Sequence, residues 1–74
     1  MADKISIEQV LRQAEQRASQ GQWREVIQQL QPLVRQRPSI ARAWYLLSNG
    51  LANLQQPDAA LECAQKAQRL EPNK

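Results

Sequence analysis

The stretch WYLLSNGLANL, residues 44–54, can be read in two ways. Asn49-Gly50 between apolar runs is the strongest short-range signal for a two-residue β-hairpin turn. The apolar residues around it do not alternate, however. Trp44, Leu47, Leu51 and Leu54 recur at i, i+3, i+7 and i+10, the spacing of one helix face. A hairpin would split that face. A helix would carry Gly50 inside it, at a cost of up to about 1 kcal/mol relative to alanine. The choice decides the fold.

Composition favours the helix. The chain has 74 residues, enough for one small domain or a piece of a larger chain. Phe is absent, there are two glycines, and Gln, Ala, Leu and Arg dominate. These are good helix formers, and β-branched and aromatic residues for strands are few. A domain of this size buries only about 60% of the surface its unfolded chain exposes. Its stability therefore rests on close helix packing or on something stacked against it.

An internal period settles the matter. Pro38 and Pro72 end similar passages, and the step between them is that of a helical-hairpin repeat, about 34 residues. A shift by that step lays Ala18 on Ala52, Val26 on Ala60, Leu30 on Ala64 and Leu33 on Ala67. The loop SQGQW lands on NLQQP. Each unit reads as two helices joined by a tight turn. The first helix is expected over Ile7–Ser19, with Ser6 as N-cap and Gln9 completing a capping box. Its apolar face is Ile7, Val10, Leu11, Ala14 and Ala18. Gly21 sits in the turn, where a positive φ costs it little. The second helix carries Trp23, Val26, Ile27, Leu30, Leu33 and Val34, and Pro38 stops it. Pro32 falls inside it, which predicts a kink or interruption near Gln31-Pro32. The third helix is expected over residues 40–54, capped by Ser39. Gln55 and Gln56 form the next turn, and Pro57 suits the first position of the fourth helix. That helix presents Ala60, Leu61, Ala64, Ala67 and Leu70. On this reading Asn49-Gly50 lies inside a helix.

Several chemistries are excluded by absence. The chain has no His, and Cys63 is its one cysteine. A zinc site, a Ser/His/Asp triad, a Cys/His pair and an internal disulfide cannot be built from it. No metal or cofactor is expected. Glu8 and Glu15, two turns apart, are the nearest approach to a carboxylate pair, and no enzyme is expected. Cys63 reads as a semi-buried packing residue. The net charge is +3, and the basic residues Arg12, Arg17, Arg24, Arg35, Arg37, Arg42, Lys66 and Arg69 are dispersed. That pattern predicts a well-solvated surface with a mild preference for acidic partners. Nucleic acid is not expected: the charges ring the helices and only Tyr45 offers a stacking face. The start has no apolar leader segment, and no apolar run approaches about 18 residues. The expectation is a reducing, cytoplasmic setting without a membrane span.

A helix–turn–helix unit of this period resembles the tetratricopeptide repeat of bacterial type. In the second unit Trp44, Leu47, Ala60 and Pro72 match the family's Trp, Leu, Ala and Pro. Ser48 takes the place of the small residue, Leu51 that of the Tyr and Ala64 that of the Phe. In the first, more divergent unit Val10, Ala14, Val26 and Leu30 stand at the corresponding places, and Gly21, Trp23 and Pro38 match well. The resemblance implies an all-α fold of two antiparallel helix-turn-helix units, stacked as a short right-handed α-solenoid. The first repeat would span about 7–40 and the second about 41–74. It implies that Trp44, Leu47, Leu51, Ala60 and Ala64 are core.

The resemblance further implies protein–protein interaction through a concave groove lined by the first helix of each unit. In the third helix Arg42, Tyr45, Asn49 and Asn53 form one stripe, and one period earlier the stripe is Glu8, Leu11, Glu15 and Ser19, with Arg12 beside it. The asparagine amides suit a peptide backbone, Arg42 suits a carboxylate, and Tyr45 offers a flat face with a polar tip. The alternative is a solvated face on which Arg42 or Arg12 pairs with Glu8 or Glu15. Chaperone-binding members of the family use a clamp of Lys, Asn and Arg. Leu11, Glu15 and Leu46 stand where that clamp needs Lys and Asn, so this chain is not expected among them. Two repeats are few for independent stability. The initiator-like Met1 and the end at Lys74 suggest an N-terminal module of a larger protein; self-association as a homodimer is the alternative to stacking on further repeats.

Overall fold

A computed structural model describes residues 6–72. The chain start read above and Lys74 at the end of the second repeat lie outside those residues. Four helices follow one another: α1 (Ile7–Ser19), α2 (Trp23–Gln36), α3 (Ala41–Asn53) and α4 (Pro57–Leu70). Asn49 and Gly50 are inside α3, and the described residues contain no strand. The helix reading of residues 44–54 therefore holds.

The period is visible in the backbone. α3 starts one full period after α1, Ala41 against Ile7, and α4 the same step after α2, Pro57 against Trp23. Within each pair the turns are built alike. Gly21 has φ 77° and its counterpart Gln55 has φ 63°. In the first turn the Gln22 N–H donates to Arg17 C=O at 2.9 Å and the Gly21 N–H to Ala18 C=O at 3.0 Å. In the second, Gln56 donates to Leu51 at 2.9 Å and Gln55 to Ala52 at 3.1 Å. Both are Schellman closures, which use a left-handed residue to satisfy the last helical carbonyls. The first turn has a glycine for that post; the second forces a glutamine into it. The helix exits also correspond. Arg37 (φ −134°, ψ 78°) and Glu71 (φ −134°, ψ 74°) leave the helical region. Each precedes a proline, whose ring disfavours helical geometry in the residue before it.

Other local expectations are corrected. Ser6 occupies the N-cap of α1 but makes no side-chain cap bond, so the Ser6/Gln9 capping box is not formed. Ile40, not Ser39, is the N-cap of α3. Ile40 packs against the core, and the Trp44 indole N–H donates to the Pro38 carbonyl at 2.8 Å. Together these set the helix start at Ala41 and leave Ser39 one residue too early to cap. Of the kink or interruption expected near Gln31-Pro32, the interruption does not occur: α2 runs through Pro32 as one helix. Pro32 and Gln28 are both exposed, so the hydrogen bond that proline removes lies on the solvent side of the helix. Meanwhile Leu30 and Val34, on either side, are held in the core.

The core forms where α1, α2 and α3 meet, from Leu11, Ala14, Val26, Leu30, Val34, Ala43 and Leu47. α3 contacts all three other helices. Its close approach to α2 has a specific cause: a Cβ on Gly50 would lie 3.1 Å from Ile27 Cγ1. Ser48 is also buried, and its hydroxyl is satisfied by donating to the Tyr45 carbonyl at 3.0 Å. α4 packs on α3 alone. Its buried residues are therefore Ala60 and Ala67, while Leu61 and Leu70, expected on its apolar face, are 59% and 39% exposed.

Two substitutions test this account by urea or thermal unfolding. Gly50→Val is expected to lower stability by about 1–3 kcal/mol, because a branched side chain overpacks the Ile27 contact. Gln55→Gly is expected to raise it by up to about 1 kcal/mol, by relieving the left-handed glutamine.

Candidate docking surface

α1 and α3 lie side by side, and their outer faces carry the stripe read from the sequence. Glu8, Arg12, Glu15 and Ser19 on α1, and Arg42, Tyr45, Asn49 and Asn53 on α3, are all exposed. Leu11 is the exception: at 4% exposure it belongs to the core, not to the surface stripe. α1 packs against both α2 and α3, so its buried sector is wide enough to draw Leu11 inward.

The stripe is charge-compensated. Arg42 donates to Glu15 and so ties α3 to α1. That hydrogen bond, and then the charge of Glu15, raise the Arg42 pKa above its ordinary value. Arg12 pairs with Glu8 at 3.9 Å along α1. Pairing of these charges with one another, the alternative expected from the sequence, is thus the arrangement observed. Some polar groups are also occupied. The Ser19 hydroxyl donates to the Gln16 carbonyl at 2.8 Å, and the Asn53 amide donates to the Asn49 carbonyl at 2.8 Å. Two groups stay available: the Tyr45 ring, 36% exposed, and the Asn49 side-chain amide, which has no partner among the described residues.

The motif residues divide between burial and geometry. Leu47, Leu51 and Ala60 are buried, as expected of core, and so is the small residue Ser48. Ala64, Trp23 and Trp44 are half-buried rather than enclosed. For Trp44 the reason is plain: its indole N–H reaches the Pro38 carbonyl at 2.8 Å, and the Lys66 ammonium covers its ring at 4.7 Å from the centroid. Pro38 and Pro72 are exposed at the ends of their repeats, and Gly21 is in the turn.

Sequence reasoning missed three arrangements. One is the Lys66 cover on Trp44. Another is the packing role of Gly50. The third is a polar latch between α1 and α2, in which the Gln29 amide donates to the Gln13 side-chain carbonyl at 2.9 Å while Arg17 donates to Gln29 at 3.1 Å. Long polar side chains give no periodic signal of their partners. Gly50 was legible in principle, because a glycine kept inside an amphipathic helix often marks a close approach.

Cys63 is a half-buried free thiol on α4. Burial raises its pKa, nearby Lys66 lowers it and Glu62 raises it, with burial dominant. No group of three or more His, Cys, Asp or Glu among the described residues could hold a metal ion. No described helix is long and apolar enough to cross a membrane.

The stack of helical hairpins defines a class, the short helical-repeat proteins. Residues 41–74 match the family model described as Tetratricopeptide repeat. The second helical pair is such a repeat, and the four helices of the chain are consistent with two repeats. The family is in general a protein-interaction fold and a non-catalytic one. A comparison with curated proteins gives no significant match.

The raised thiol pKa has a checkable consequence. At pH 7–8 Cys63 is expected to react with iodoacetamide more slowly than a free thiol, and to reach the ordinary rate once urea unfolds the chain. The sign for stability follows from the same shift. The folded state holds the thiol proton more tightly than the unfolded chain does. This contribution is full below the unfolded pKa and is lost as pH rises through the folded one.

Proposed function

We propose that the chain is a docking module that holds a peptide or helix of a protein partner against the α1/α3 face. The observation that carries this reading is the Tyr45–Asn49 pair. One turn apart on α3, it combines an exposed aromatic ring with an amide that has no partner among the described residues. A peptide backbone can pair with the amide while a side chain packs on the ring. The compensated pairs Arg42–Glu15 and Arg12–Glu8 flank them. Both pairs are solvent-exposed, so an acidic group on the partner can compete for Arg42 at little cost. No catalytic, cofactor-binding, nucleic-acid-binding or membrane role enters this reading, and the cytoplasm is the compartment it assumes.

Self-association as a structural unit is the second reading. What favours it is the exposure of Leu61 and Leu70 on α4. A molecular mass that stays monomeric across concentration would remove it.

The docking reading is tested by a pull-down that compares the wild type with the Arg42→Ala/Tyr45→Ala/Asn49→Ala variant, first shown folded by circular dichroism. Proteins retained by the wild type are expected to be lost by the variant. Equal retention would move the site off the α1/α3 face.

A further inference from the structure

α2 and α4 do not touch each other; both pack on α3. A cleft of about 350 Å³ lies between them. Its floor is apolar, made by Val34, Leu47 and Leu51, all of them buried. Past Trp44 the surface dips again, into a depression of about 230 Å³ beside Pro38 and Leu70. Lys66 borders both hollows and lies over the Trp44 ring that separates them. Between residues 59 and 69 α4 rises about 15 Å. That length accommodates about three helical turns or four to five extended residues.

The rim of this cleft is basic. Arg35 and Lys66 stand on the larger hollow and Arg69 on the smaller, against the one carboxylate of Glu62. Neither Arg35 nor Arg69 forms an ion pair among the described residues. This differs from the α1/α3 face, where each cation of the stripe is matched by an acid. The molecule therefore holds uncompensated positive charge beside an apolar floor on the side opposite in character to the stripe.

We propose that the α2/α4 cleft is a second docking site and that its occupant is an acidic amphipathic segment of a partner protein. An apolar side chain of that segment fills the Leu47/Leu51 floor. Its flanking carboxylates pair with Arg35 and Arg69 and draw Lys66 off the Trp44 ring. Charge complementarity selects this occupant. A second copy carries a net charge of +3 and would bring like charge to a basic rim. A nucleic acid would match the rim, but its bases would find one ring, Trp44, beside a floor that is otherwise aliphatic.

The test selects random peptides of about twelve residues, displayed on phage, against the intact chain. Affinities are then measured by fluorescence anisotropy on the wild type and two variants, each checked by circular dichroism. Arg35→Glu/Arg69→Glu reverses the rim; Tyr45→Ala/Asn49→Ala alters the α1/α3 face. The expected result is enrichment of sequences with an apolar anchor between Asp or Glu residues. Their affinity should fall about tenfold or more on the reversed rim and stay unchanged on the α1/α3 variant. The bound peptide should also slow Cys63 alkylation, because Cys63 lines the cleft. Basic or uncharged selected peptides, indifference to the reversed rim, or no enrichment would each overturn the proposal. So would binding of an oligo-dT strand, weakened by the reversed rim, in place of any acidic peptide. Loss confined to the Tyr45/Asn49 variant would also overturn it, while leaving the α1/α3 reading in place.

Discussion

α3 touches every other helix of the molecule, and how closely it approaches α2 sets the position of everything else. The approach is limited by atoms, at Gly50, where even a methyl group would crowd Ile27. Ala43, Ser48 and Gly50 keep the helix narrow, while Leu47 and Leu51 fill the gaps it leaves. Interiors pack at near-crystalline density, so the small residues matter as much as the large ones. A chain this short has no second core to fall back on. The helical cost of a glycine is accepted because it allows the one close contact that the stack requires.

The same economy governs the turns. Both within-pair turns close with Schellman bonds, and both helix exits rely on a proline one residue on. Tight, identical turns force each helix back along its predecessor, which is what makes the unit repeat. The post that needs a left-handed residue is filled by glycine in one repeat and by Gln55 in the other. The stack thus tolerates a local backbone cost where the global geometry leaves no choice.

The two faces differ in their electrostatics more than in their shape. On the α1/α3 side Arg42–Glu15 and Arg12–Glu8 balance the charge, and specificity would have to come from Tyr45 and Asn49. On the α2/α4 side the cations border an apolar floor and are not balanced. A repeat protein that exposes two chemically distinct surfaces can hold two segments without either competing for the other. The exposed Leu61 and Leu70 follow from the same architecture: α4 has a neighbour on one side alone.

Residues alone determined the helices, their order and their boundaries to within a residue, because the repeat period and the helical spacing of apolar residues are local, additive signals. They also determined which residues form the exposed stripe, Leu11 excepted. Whether Leu11 faced inward depended on α1 being covered by two helices, and that is a property of the stack. The Ser6 and Ser39 caps, the unbroken α2 at Pro32 and the half-exposed Trp44 were likewise decided in three dimensions. In each case a local preference gave way to packing or to a partner distant in sequence, such as the Pro38 carbonyl or the Lys66 ammonium. The Arg42–Glu15 tie and the cleft between α2 and α4 needed the tertiary structure most of all. They join, or separate, residues that only the folding of one helical pair onto the other brings into register.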